Sequence, residues 1–110
     1  MDISWDDFQK VELRAGTIVK AEVFEGARKP AIKIWVDLGE LGIKKSSAQV
    51  AVHYTPQELI GRQVVCVTNF PVKQIGNFMS EILVTGFPDE QGHVVLTAIE
   101  RRVPNGARLY

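Results

Sequence analysis

A single cysteine in 110 residues excludes an internal disulfide, and Cys66 stands inside the apolar run 64–67, where a reduced, buried core residue is expected. No stretch approaches the roughly eighteen consecutive apolar residues that a membrane-spanning helix needs. The opening residues, MDISWDDF, are acidic and lack the apolar core of a secretory signal. These absences predict a cytoplasmic protein. Net charge is also lacking: 13 Lys and Arg stand against 13 Asp and Glu, which argues against coating nucleic acid through bulk charge. His53 and His93 are isolated, with no second cysteine or carboxylate at metal-ligand spacing, so no metal site is expected. The glycines form neither a G-x-G-x-x-G nor a phosphate-loop pattern, and no cofactor is expected. Ser80-Glu81 is the nearest approach to a nucleophile beside a base. Neighbours on a strand point to opposite faces, however, and this pair predicts no enzyme.

What is present is unevenly distributed charge. Six acidic residues against three basic ones make residues 1–25 locally negative. Lys44, Lys45, Arg62 and Lys73 against Glu58 alone make residues 41–80 locally positive, and Arg101, Arg102 and Arg108 make the tail basic. Such runs are either ordinary solvated surface or the footprint of an anionic partner.

The apolar pattern is that of strands, and the 45% apolar content suffices for one core in one domain spanning residues 1–110. From Leu13 to Val23 the odd positions form a mostly apolar face, with Gly16 permitting a bend. From Ala31 to Leu38 the alternation is cleaner: Ile32, Ile34, Val36 and Leu38 point inward, Lys33, Trp35 and Asp37 outward. A third strand is predicted from Ile43 to Val52, with Ser46, Ala48, Val50 and Val52 inward and Lys45, Ser47 and Gln49 outward. Thr55-Pro56 opens a short helix that Gly61 stops. A fourth strand follows at 63–69 and a fifth at 81–87. Asp89 to Gly92 is a hairpin turn, and Asn105-Gly106 another turn. Three strands, a helix and two strands are the order of the OB-fold, an all-β, five-stranded, partly open Greek-key barrel, here with added N- and C-terminal elements.

Two places are marked for binding. The face of the second and third strands carries Lys33, Trp35, Lys45, Ser47 and Gln49. An outward Trp beside Lys suits base stacking with phosphate contact; it equally suits covering a loop or a subunit interface. The run 64–83 breaks from a strand at Asn69-Phe70-Pro71, because Pro71 cannot donate to a ladder. It continues through Lys73 and an exposed-looking Phe78 to Ser80 and Glu81, at the mouth of the next strand. Asn69 is either a ligand or the cap of the turn before Pro71. Glu81 is read as an acceptor for backbone N–H groups or a base edge.

The segments LRAGTI (13–18), 27–30, VDLG (36–39), KKSSAQV (44–50), YTPQELIGRQV (54–64), NFPVKQIGNFMSEIL (69–83) and VPNGARL (103–109) together resemble the tRNA-binding domain family across nearly the whole chain. The resemblance is strongest to its stand-alone, CsaA-type members, regarded as secretion-related chaperones. Related domains are appended to methionyl- and phenylalanyl-tRNA synthetases and to a eukaryotic cytokine precursor. The resemblance implies an OB barrel, a homodimer, and binding of structured tRNA with limited sequence preference. It places Ser47 and Gln49 on the third strand, and Asn69, Lys73, Ser80 and Glu81 around the loop between the last two strands. It also implies a competing role: holding unfolded or pre-secretory polypeptide in the same groove, with the secretion machinery as a partner. Many relatives carry Gly or Met near the Ser-Glu pair. Phe78-Met79-Ser80-Glu81-Ile82 is a bulkier flank and favours peptide. Val84, Phe87, Val95 and Leu96, with the segment 99–110, are expected to supply an apolar dimer surface.

Overall fold

A computed structural model describes all residues from Met1 to Tyr110. Five antiparallel strands form the barrel: β1 (Leu13–Val23), β2 (Ile32–Asp37), β3 (Ile43–Ala48), β4 (Gln63–Val67) and β7 (Leu83–Val84), in the order β3-β2-β1-β4-β7. Helix α2 (Pro56–Leu59) lies between β3 and β4. This is the expected OB-like all-β architecture. The long first strand serves two neighbours: residues Leu13–Thr17 pair with β4, and Thr17–Val23 with β2. Gly16 faces the interior, where a Cβ would fall 2.3 Å from a Val36 methyl. The strand can cross the barrel there only because the side chain is absent.

The alternation of β2 holds throughout. Ile32, Ile34, Val36 and Leu38 are fully buried and form the core with Ile18, Leu59, Val64, Cys66 and Val84. Each such aliphatic side chain contributes roughly 1.5–3 kcal/mol by leaving water. The odd-numbered face predicted for β1 does not hold. Gly16 and Ile18 face the core, so the even positions are inward in the first half and Val19 is exposed. The bulge between Ile18 and Lys20 then shifts the register, and Ala21 packs against the core beyond it. Ala15 and Thr17 are buried on the other side, beneath the C-terminal segment. That segment runs along β1: Gly106 N–H donates to the Ala15 carbonyl at 2.7 Å, and Leu109 N–H to Leu13 at 2.8 Å. Thr17 Oγ1 donates to Asn105 Oδ1 at 2.6 Å, which explains a buried hydroxyl outside the core.

Four further expectations are corrected. The third strand ends at Ala48, and the turn after it leaves Val52 exposed. The fifth barrel strand is two residues long; beyond Thr85 the chain leaves for a separate hairpin, β8 (Gly86–Pro88) with β9 (Val94–Leu96), about the predicted turn at 89–92. Val84 and Leu96 are buried in this chain's own core, leaving Phe87 and Val95 exposed as a cross-strand pair. The loop after Pro71 is itself a hairpin, β5 (Lys73–Ile75) with β6 (Phe78–Ser80). An N-terminal helix, α1 (Trp5–Gln9), completes the chain, held by reciprocal bonds between Ser4 and Asp7.

Candidate nucleic-acid interface

Barrel closure creates the site. β3 has no strand ladder on its outer edge. Instead, Glu81 N–H donates to the Lys45 carbonyl at 2.8 Å, and the Lys45 N–H donates to Glu81 Oε1 at 3.1 Å. The Ser47 N–H donates to Ser80 Oγ at 3.2 Å. The Ser-Glu pair thus acts as a seam of side-chain acceptors, as read from sequence for Glu81. The β5–β6 hairpin rises from one side of this seam and the β1–β2 loop from the other.

Between them lies an open groove of about 1030 Å³. Of the residues singled out from sequence, Ser47, Gln49, Lys73, Ser80 and Glu81 line it. Lys33, Trp35 and Lys45 sit beside it on the outer face of β2 and β3, paired across strands as Lys33–Ser47 and Trp35–Lys45. Phe78 belongs with this group but is not an exposed loop aromatic. It is buried, with its ring 6.0 Å from Trp35 in an edge contact and 5.5 Å from Phe24. Asn69 lies apart. Its side chain accepts the Glu12 N–H at 2.9 Å and donates to the Lys10 carbonyl at 2.7 Å, fastening the N-terminal segment to the end of β4.

The aromatic cluster is ringed by cations. Lys20 Nζ lies 4.5 Å from the Trp35 ring centre, Lys33 4.8 Å from Phe24, and Lys45 5.3 Å from Phe78. Inside the groove Arg28, Lys29 and Lys73 face a single acid, Glu81, whose carboxylate is already engaged by the Lys45 amide. Sequence reasoning missed Arg28, Lys29, Lys20 and Phe24. The available signal was architectural: the β1–β2 and last interstrand loops of an OB barrel flank one groove. Nothing here resembles a catalytic pair, and burial pushes the Cys66 thiol up to about 12, leaving it inert.

The comparisons with known proteins agree with this geometry. Residues 13–108 match the family model described as "Putative tRNA binding domain". The chain is 38% identical over 109 residues to methionine–tRNA ligase 1 of Bacillus anthracis, covering 98% of this chain but only 16% of the ligase. It is 44% identical over 84 residues to the methionine–tRNA ligase of Leptospira interrogans, covering 76% of this chain and 12% of that enzyme. Among solved structures it superposes on the chaperone CsaA of Bacillus anthracis with a TM-score of 0.94 and 45% identity, over 100% of both chains. The CsaA chaperone protein of Picrophilus torridus gives 0.91 and 38%, over 99% of this chain and 100% of the other. A methionyl-tRNA-synthetase-related protein of Pyrococcus horikoshii gives 0.87 and 29%, over 100% of both. Sequence and fold therefore agree that this chain belongs to the tRNA-binding domain family.

Proposed function

We propose that the chain is a binding module for structured tRNA, with no catalytic role of its own, and that it works as a cytoplasmic homodimer. The observation that carries this reading is the continuity of two surfaces. The half-buried Trp35, with Lys20, Lys33 and Lys45 around its aromatic cluster, borders a groove lined by Arg28, Lys29 and Lys73. Stacking platforms beside a cationic track are what single-stranded or looped RNA needs, and they require no net positive charge on the whole chain. No helix is long and apolar enough to cross a membrane.

A second reading has its own support. Phe24, Phe70, Ile75, Ile82 and Leu83 also line the groove, and two of the structural neighbours are chaperones. Unfolded or pre-secretory polypeptide, delivered to the secretion machinery, is the competing ligand. Titrating tRNA and a reduced, unfolded peptide into the parent, Lys73→Ala and an Arg28→Ala, Lys29→Ala double variant separates the two. Expected is a marked loss of tRNA binding in both variants, with weaker peptide binding little changed. Full tRNA binding by both variants would remove the groove from the reading. Peptide binding without any tRNA binding in the parent would reverse the order of the two readings.

A further inference from the structure

The two histidines that are isolated in sequence meet in the fold. His53 lies in the turn between β3 and α2; Asp89 and His93 flank the turn of the β8–β9 hairpin. One ring nitrogen from each histidine and one carboxylate oxygen all lie within 4.8 Å of one another, and the two rings are 5.8 Å apart.

Three details make this more than a surface ion pair. Asp89 Oδ1 is committed to the hairpin, accepting the backbone N–H groups of Gln91 and His93 at 2.9 Å each. That fixes the carboxylate and turns Oδ2 towards His53 Nε2, 2.6 Å away. His93 Nδ1 is buried and has no hydrogen-bond partner, the one such side-chain atom in the chain. An unpaired buried polar atom is disfavoured, and the contact between His53 and Asp89 does nothing to relieve it. Ligand atoms held at the roughly 2.0–2.1 Å bond lengths of zinc stand about 3.3 Å apart. The separations here, from 2.6 Å between His53 and Asp89 up to 4.8 Å, bracket that distance, and the His53 side chain is more than a third exposed, which leaves its ring room to turn.

We propose that His53, Asp89 and His93 form a binding site for a divalent first-row transition ion, zinc foremost. Two imidazoles and one carboxylate suit that class and not calcium or magnesium, which take oxygen ligands. The backbone-anchored Asp89 and the exposed His53 leave a fourth position open to solvent. The ion would staple the β8–β9 hairpin to the turn preceding α2. Tyr54, next to His53, already joins the same two elements by accepting the Leu96 N–H at 3.1 Å. The site lies outside the groove and shares no residue with it.

The test uses the full chain stripped of metal with a chelator and titrated with zinc chloride by calorimetry. Expected are one ion per chain, a rise in melting temperature with zinc, and a tetrahedral cobalt absorption spectrum when Co2+ replaces it. Asp89→Asn keeps the turn's backbone acceptor, and His93→Ala removes the orphaned nitrogen; each should weaken zinc binding at least as much as loss of an outer-shell partner does, about 10–100-fold or more. A His53→Ala, His93→Ala variant that binds zinc as tightly as the parent would overturn the proposal. So would a parent whose melting temperature ignores zinc, or a stoichiometry of one ion per two chains, which would place the ion between copies.

Discussion

At the scale of single residues, Glu81 completes the hydrogen bonding of β3. Removing its carboxylate leaves the half-buried Lys45 amide without its acceptor, so Glu81→Ala is expected to lose about 1–3 kcal/mol. Glu81→Gln keeps an acceptor oxygen and should retain most of it. Urea unfolding of the three proteins measures both, and an unchanged midpoint for the alanine variant would deny the seam its role. Glu12 supplies a dependence on pH. Hydrogen bonds from Arg14, then from Thr68, hold its carboxyl below the usual glutamate range. As pH falls, the unfolded chain takes up this proton first. The contribution is therefore complete above the ordinary glutamate pKa of about 4.3 and is lost as pH falls through the folded value. Glu12→Gln should be less stable than the parent near neutrality and converge with it in acid. Melting curves across that range test this, and a constant gap would mean that the charge is irrelevant. Trp35→Ala should weaken tRNA binding by roughly 1–3 kcal/mol if bases stack there. These residue roles were partly legible. Strict alternation in β2 put Trp35 outward, and strand geometry made Glu81 an acceptor. The burial of Phe78 was not legible, because Phe24 arrives from a segment more than fifty positions earlier.

At the scale of elements, the β5–β6 hairpin carries Lys73 into the groove and Phe78 beneath it. Its two-residue turn places Gly76 at φ 59°, a left-handed conformation disfavoured for any residue with a Cβ. No atom lies within 4 Å of where that Cβ would stand, so Gly76→Ala strains the turn and nothing else. About 1 kcal/mol of strain should weaken tRNA binding about fivefold while leaving the barrel's unfolding midpoint near the parent's. A larger loss of barrel stability than of binding would make the hairpin a structural part instead. This hairpin escaped sequence reading because Pro71 broke the run and each arm is only three residues long. Helix α1 escaped for a similar reason: five residues give too little periodicity, although Ser4 and Asp7 are spaced as a capping pair. The β1 face was misread because the C-terminal segment, not the core, covers the small residues Ala15 and Thr17, and because the bulge after Ile18 leaves no mark in a run of small and β-branched residues. The alternation of β2 and the Thr55-Pro56 start of α2 were legible because nothing tertiary overrides them.

At the scale of the whole molecule, cations gather around one groove although the chain as a whole is neutral. Lys73→Ala should flatten the dependence of log affinity for tRNA on log salt by about one unit or less. Affinity indifferent to salt would contradict a phosphate-tracking groove. None of α1's residues is buried, and a five-residue helix is marginal on its own. With Trp5, Phe87 and Val95 exposed, a second copy of the chain is the expected cover. Phe87→Asp should convert a dimer to a monomer in sedimentation at micromolar concentration, and a parent already monomeric there would end this expectation. The approach of His53 to Asp89 and His93 was illegible because 36 positions, with α2 and strands β4 to β8 among them, separate His53 from Asp89 along the chain. The side-chain seam along β3 has a consequence for motion. Elsewhere the barrel's strands are joined by ladders, which break cooperatively; here, beside one backbone bond from Glu81 to Lys45, a carboxylate and a hydroxyl hold the amides of Lys45 and Ser47 one at a time. This is where the wall should gape first, so those two amides should exchange with deuterium sooner than those of β2 or β4. Breathing at that line widens the floor of the groove itself, so a bound ligand should slow exchange there more than anywhere else in the barrel.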